Sequence, residues 1–130
     1  MELRLRRGDV FYANLPELED SNIQHGERPI IIVANEWALK YSPVIQYIPI
    51  TTKMDKPKIP VHVELNNYSF LKPSVALVEQ VGCIDKKRLL NKKGTLLESD
   101  MEKIDSALIK QFNINNVYEQ KKQYGYVMAK

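Results

Sequence analysis

The sequence is poor in the residues that most often carry metal or nucleophilic chemistry. It has one cysteine, Cys83, and two histidines, His25 and His62. A single cysteine cannot close an internal disulfide, so a reducing compartment is the simpler expectation. Cys83 has no base near it in the sequence and reads as a small buried hydrophobe. With no Cys-His or His-x-His spacing, a zinc site is not expected, and no metal is predicted. A glycine-rich phosphate loop followed by Lys-Ser/Thr is also missing, which speaks against P-loop nucleotide hydrolysis. No cofactor is predicted. No apolar run reaches the roughly 18 residues of a membrane helix. The N-terminus, Met1-Glu2-Leu3-Arg4-Leu5-Arg6-Arg7, lacks a hydrophobic signal core. A cytoplasmic protein without membrane contact is therefore expected. Charge of one sign is in slight excess only: 19 Lys and Arg against 16 Asp and Glu, a net +3. That balance permits a nucleic-acid partner without demanding one.

What is present is enough for one core. The chain has 130 residues, 44% hydrophobic and 27% charged, which suits one globular domain rather than two. The first two-thirds read as strands. Asp9 to Ala13 is short, aromatic and apolar after Gly8. Pro29-Ile30-Ile31-Ile32-Val33-Ala34 is a continuous run that suits a strand buried on both faces. Val44 to Ile50 follows the Ser42-Pro43 turn. Ile59 to Leu65 alternates, with Val61, Val63 and Leu65 on one face and His62 and Glu64 on the other. Ser74 to Gly82 reads as another strand. A helix follows, with Ser99 and Glu102 in a capping-box pattern and Met101, Ile104, Leu108 and Phe112 as its packing stripe; Asn113 to Asn116 stop it. Closely spaced strands followed by a helix predict a mainly β fold, a small curved antiparallel barrel with a C-terminal helix packed on it.

Two loops stand out. Asn14 to Gly26 is polar and acidic, with Pro16, Glu17, Glu19 and Asp20, and is long enough to suggest a lid or binding loop. Thr51 to Lys58 carries Lys53, Lys56 and Lys58, which read either as a phosphate rail or as a solvated hairpin loop. His25 and His62 could form an acid–base pair; the plainer expectation is that both are exposed and idle. Phe11, Tyr12 and Tyr47 are candidates for stacking bases, with at least one of them in the core by alternation. Arg28 lies where the acidic loop meets the apolar run. Alone, such an arginine is usually a solvated charge.

The ordered series changes that judgement. Arg6-Arg7-Gly8-Asp9-Val10-Phe11-Tyr12 opens the domain, and Gly26-Glu27-Arg28-Pro29 follows the loop. Ile50-Thr51-Thr52 and Lys58-Ile59-Pro60-Val61-His62-Val63 come next, then Leu77-Val78-Glu79-Gln80 and Ile84-Asp85-Lys86-Lys87-Arg88-Leu89. No one of these motifs is specific alone; in this order and spacing they resemble the MazF/PemK family of toxin endoribonucleases, closest to the firmicute members. The resemblance covers about residues 5 to 114, so a toxin domain at 1–114 and a polar tail at 115–130 are expected. It implies an SH3-like barrel, a homodimer, and metal-independent cutting of single-stranded RNA at short sequence motifs. It also implies a cognate MazE-like antitoxin lying over the RNA groove. Arg28 falls on the family's catalytic arginine and Thr51 on its catalytic threonine. Gln80 falls on a glutamine near the RNA. Gly82 stands where relatives often carry an arginine.

The residues support that chemistry. RNA brings its own nucleophile, the 2′-OH, so an enzyme need only align it and stabilise the developing charge. A guanidinium can hold two phosphoryl oxygens at once. Arginine is a poor base near neutrality, so Arg28 is read as the charge stabiliser. Glu27, His25, water or a transiently deprotonated arginine remain candidates for the base; Glu27 and His25 also count as RNA-binding candidates. The rival reading is a non-enzymatic binder of the same fold, such as a gyrase poison. Those toxins depend on a C-terminal Trp-Gly-Ile, whereas the only tryptophan here is Trp37 and the sequence ends Tyr126-Val127-Met128-Ala129-Lys130.

Overall fold

The computed structural model describes residues 4–52 and 59–114. Seven strands and two helices occupy them: β1 (Asp9–Leu15), β2 (Gly26–Ile32), α1 (Glu36–Tyr41), β3 (Val44–Thr51), β4 (His62–Leu65), β5 (Ser74–Leu77), β6 (Gly82–Asp85), β7 (Leu89–Thr95) and α2 (Glu98–Gln111). Two 3₁₀ turns, Val78–Gln80 and Lys86–Arg88, flank β6. The strands form an open sheet in the order β4-β5-β3-β2-β1-β7, with β6 also on β3. The mainly β fold with a C-terminal helix thus follows the sequence reading.

β3 is the most widely paired strand. One of its edges takes β2. The other is divided: Val44–Tyr47 pair with β6, and Ile50 and Thr51 pair with β5. β3 is thus shared along its length between β6 and β5. The expected single strand from Ser74 to Gly82 is therefore two strands with a 3₁₀ turn between them. β4 is shorter than expected, because residues before His62 make a turn in which the His62 amide bonds the Ile59 carbonyl at 3.0 Å.

Alternation sends side chains into two cores, one on each face. Phe11, Ala13, Leu15, Ile30, Ile32, Ile45, Tyr47 and Ile84 fill the first, closed by Leu39 of α1. Val10, Ile31, Ile48, Ile50, Val63, Leu65 and Val78 fill the second, against Ile104 and Ala107 of α2. Ile30, Ile31 and Ile32 are all fully buried, so this run is covered on both faces as expected. Phe112 is not: it caps the helix with φ −92° and ψ 2° and is 60% exposed. The stripe ends at Leu108 because the helix ends before its next turn. Asn113, at φ +53°, then stops it, and the Ile114 amide reaches back to the Ile109 carbonyl at 2.9 Å.

The expected Ser99–Glu102 capping box is also corrected. Leu97 is the N-cap and offers no side-chain bond. The start of the helix is served instead from outside: Tyr68 Oη accepts the Leu97 amide at 2.9 Å and donates to Asp100. Burial, helped by the Asp100 hydrogen bond, pushes the Tyr68 phenol up to about 12 from 10. The neutral phenol is thus favoured by folding. Its contribution is complete below pH 10 and is lost as pH rises through about 12. In urea titrations between pH 9 and 12, the wild type should lose stability more steeply than Tyr68→Phe; equal slopes would contradict this linkage.

No helix among the described residues is long and apolar enough to cross a membrane.

Candidate functional site

The Gly26-Glu27-Arg28-Pro29 motif is the start of β2, at the junction of the acidic loop and the apolar run. Gly26 takes φ +76°, a left-handed conformation that residues with a Cβ rarely adopt, and this turns the loop into β2. Arg28 is then the third residue of the strand. Its Nε donates to the His25 carbonyl at 3.0 Å. That bond fixes the plane of the guanidinium and leaves the Nη1 and Nη2 donors for another acceptor.

The sheet register brings Thr51 to the same place. β2 and β3 pair as Ile32–Tyr47, Ile31–Ile48 and Ile30–Pro49. Arg28 lies two residues before Ile30, where the β2–β3 pairing begins, and Thr51 lies two residues after Pro49, its partner at that end. Pro29 and Pro49 stand where the ladder stops, and neither can donate a ladder bond. By alternation both Arg28 and Thr51 fall on the sheet face of Ile30 and Tyr47. Thr51 is 3% exposed and pairs across to Val75 of β5.

Gln80 enters from the 3₁₀ turn. Its Oε1 accepts the Gln24 amide at 2.8 Å and its Nε2 donates to the Asn22 carbonyl at 3.2 Å. Gln80 and Arg28 thus hold one short stretch, residues 22–25, between them. Glu27 is not part of this arrangement: it is exposed, opposite Asn14, and alternation turns it to the other face. His25 is half-buried, and its carbonyl is the Arg28 acceptor. Lys53, Lys56 and Lys58 lie outside the described residues, as does the 115–130 tail.

Several expectations are corrected here. His62 is neither exposed nor idle. Its side chain is 9% exposed, its Nε2 bonds Glu79 Oε2 at 3.0 Å, and its Nδ1 accepts the Ile59 amide at 3.4 Å. The partner, Glu79, lies 17 residues away in sequence, so no local spacing could announce the pair. Cys83 is exposed, because β6 turns Ile84 inward and Cys83 outward. Of the stacking candidates, Phe11 and Tyr47 are core, while Tyr12 is 36% exposed with Lys93 over its ring. Burial pushes the Tyr47 phenol up, and Cys83 adds to this. Gly82 faces Tyr47 across the strands; a Cβ there would meet that ring at 3.6 Å, an ordinary contact.

Two open clefts lie along α2: one of about 380 Å³ beside Arg7 and Asp105, one of about 830 Å³ beside β4. Neither is lined by Arg28, Thr51 or Gln80. Among the described residues no group of three or more His, Cys, Asp or Glu is placed to hold a metal ion.

The open, split antiparallel sheet with a C-terminal helix matches a known architecture. Residues 6–112 match the family model described as PemK-like, MazF-like toxin of type II toxin-antitoxin system. The chain belongs to this family. It is 43% identical over 114 residues to "Endoribonuclease MazF" of Staphylococcus epidermidis, covering 86% of this chain and 94% of that protein. MazF from Deinococcus radiodurans superposes with a TM-score of 0.74 at 16% identity, covering 87% of this chain and 100% of the other. A mycobacterial endoribonuclease solved in complex with its cognate antitoxin gives a TM-score of 0.65 at 20% identity, covering 84% of this chain and 93% of that one.

Proposed function

We propose that this chain is a toxin endoribonuclease that cuts single-stranded RNA through attack of the 2′-OH on the adjacent phosphorus, without a metal. The observation that carries the reading is the tethered guanidinium of Arg28 on β2, beside β3, which ends at Thr51. Kinship with an endoribonuclease over most of the chain supports it. Arg28 receives two phosphoryl oxygens on its Nη edge and stabilises the charge that builds on them. The Thr51 hydroxyl adds a donor to the same phosphate. As the O2′–P bond forms, the 2′-OH proton passes to a base, with water able to serve, and a proton reaches the 5′-oxygen as the P–O5′ bond breaks, leaving a 2′,3′-cyclic phosphate and a 5′-OH.

The toxin domain is taken as residues 1–114, acting in the cytoplasm as a homodimer. A MazE-like antitoxin neutralises it; the antitoxin complex of a mycobacterial relative supports that partner. The test is incubation of the purified chain with a long mixed single-stranded transcript in EDTA. Cutting at recurrent short motifs, blocked by the antitoxin, supports the reading. A chain that cuts no RNA, or cuts only with added metal, contradicts it.

Gly82 offers a check on RNA affinity. The backbone there has room for a side chain beside Tyr47. Gly82→Arg should leave the melting temperature within a few degrees. One added phosphate contact should steepen the dependence of log affinity on log salt by about 0.7 for a single strand. An unchanged slope would mean that position 82 does not face the RNA.

A further inference from the structure

We propose that Gln80 is a positioning residue: it latches the 16–25 loop to the body of the protein and thereby holds the Arg28 guanidinium in place. The inference rests on the endoribonuclease reading for its kinetic consequence, and on the geometry alone for the latch.

The loop has few anchors of its own. Glu17, Leu18, Glu19, Asp20, Asn22 and Ile23 are exposed. Asp20 takes φ +49°, and the Ile23 amide bonds the nearby Ser21 Oγ at 3.1 Å. Gln24 alone is buried, at 8%. Its Oε1 has no partner among the described residues, which makes the docked position costly rather than over-determined. Among the described residues, the long-range hydrogen bonds that hold this stretch down are the two made by Gln80, with Asn22 and Gln24.

The latch has a rigid base. Val78, Glu79 and Gln80 make one 3₁₀ turn, and each residue fixes it differently. Val78 is fully buried in the core beneath α2. Glu79 is tied to His62 of β4. Gln80 then reaches the loop. The residue after the latched Gln24 is His25, whose carbonyl holds Arg28 Nε. Releasing residues 22–24 therefore frees the acceptor that sets the guanidinium plane. A carboxamide suits this role, since one end accepts and the other donates.

The test uses the full-length protein without RNA first. In ¹⁵N-labelled Gln80→Ala, hydrogen exchange of the Gln24 amide should accelerate about tenfold or more, and the Arg28 Nε–H signal should broaden or exchange faster. With RNA, kcat should fall about tenfold while KM changes little, because the guanidinium is misplaced rather than missing. Gln80→Glu keeps an acceptor for Gln24 but not the donor to Asn22, so its effect on exchange should be intermediate. If Gln24 and Arg28 behave as in the wild type while KM rises, Gln80 is an RNA contact and the latch is wrong. Should the wild type cut no RNA, the function reading fails, yet the exchange measurements still decide the latch.

Discussion

Arg28→Ala should abolish most RNA cutting while leaving the protein folded. Removing one donor that stabilises a developing oxyanion costs about 2.7–4 kcal/mol of barrier, on the order of 10²–10³-fold in rate. Arg28 offers two Nη groups and a full charge, so the loss should reach or exceed the upper end of that range. The fold should barely notice, because the only bond the side chain makes among the described residues is to the His25 carbonyl. Arg28→Lys separates charge from geometry. Lysine keeps the charge but has neither the planar fork nor an Nε–H for His25. If the tethered fork matters, Arg28→Lys should recover little of the rate. Single-turnover cleavage of an end-labelled RNA, with melting curves as the folding control, reads both variants. Near-wild-type rates in Arg28→Lys would reduce the guanidinium to a simple point charge.

The largest loss of stability should come from Phe11→Ala. Phe11 is fully buried in β1, opposite Ile30 and within the core closed by α1. β1 is paired on both edges, to β2 and to β7, so the backbone cannot collapse into the vacated space. A cost of about 3–5 kcal/mol is expected for such a truncation. Small domains have only about 5–15 kcal/mol in total, so the variant should be near its limit at body temperature. Phe11→Leu, which keeps most of the volume, should lose far less. Urea unfolding with an unchanged slope and a lower midpoint would report this directly. A loss below 1 kcal/mol would mean that the strand relaxes more than its pairing allows.

Much of the fold was legible because period and burial agree. The apolar run at Ile30–Ile32 could only be a strand covered on both faces, and the spacing from Met101 to Leu108 could only be a packed helix. What escaped depended on partners distant in sequence. β7 reads Leu-Leu-Asn-Lys-Lys-Gly-Thr, with no alternation, because it is an edge strand whose outer side faces water. α1 is six residues long, too short to show a period, although Asn35 caps it through Oδ1 to the Ala38 amide at 2.8 Å; that asparagine was the available signal. The capping box at Ser99 misled because Tyr68, from a different loop, does the capping.

The site divides in the same way. Arg28 and Thr51 could be singled out from motif order, and they lie on neighbouring strands, each two residues beyond the same end of the β2–β3 pairing. The His62–Glu79 pair and the grip of Gln80 on the loop could not, because both join segments brought together only by the fold of β3 between β2 and β5. Glu27 shows the reverse case. It sits beside Arg28 in sequence, and strand alternation turns it to the opposite face.

The central claim is that Arg28 promotes attack by the RNA's own 2′-OH. End-group analysis of RNA cut by the purified protein in EDTA tests it most directly. The expected products are 5′-OH ends that accept phosphate from a polynucleotide kinase without prior dephosphorylation, and 2′,3′-cyclic phosphates on the other fragments, with both missing in Arg28→Ala. A 5′-phosphate product, or cutting of an RNA whose 2′-OH at the cleaved position is replaced by hydrogen, would contradict it.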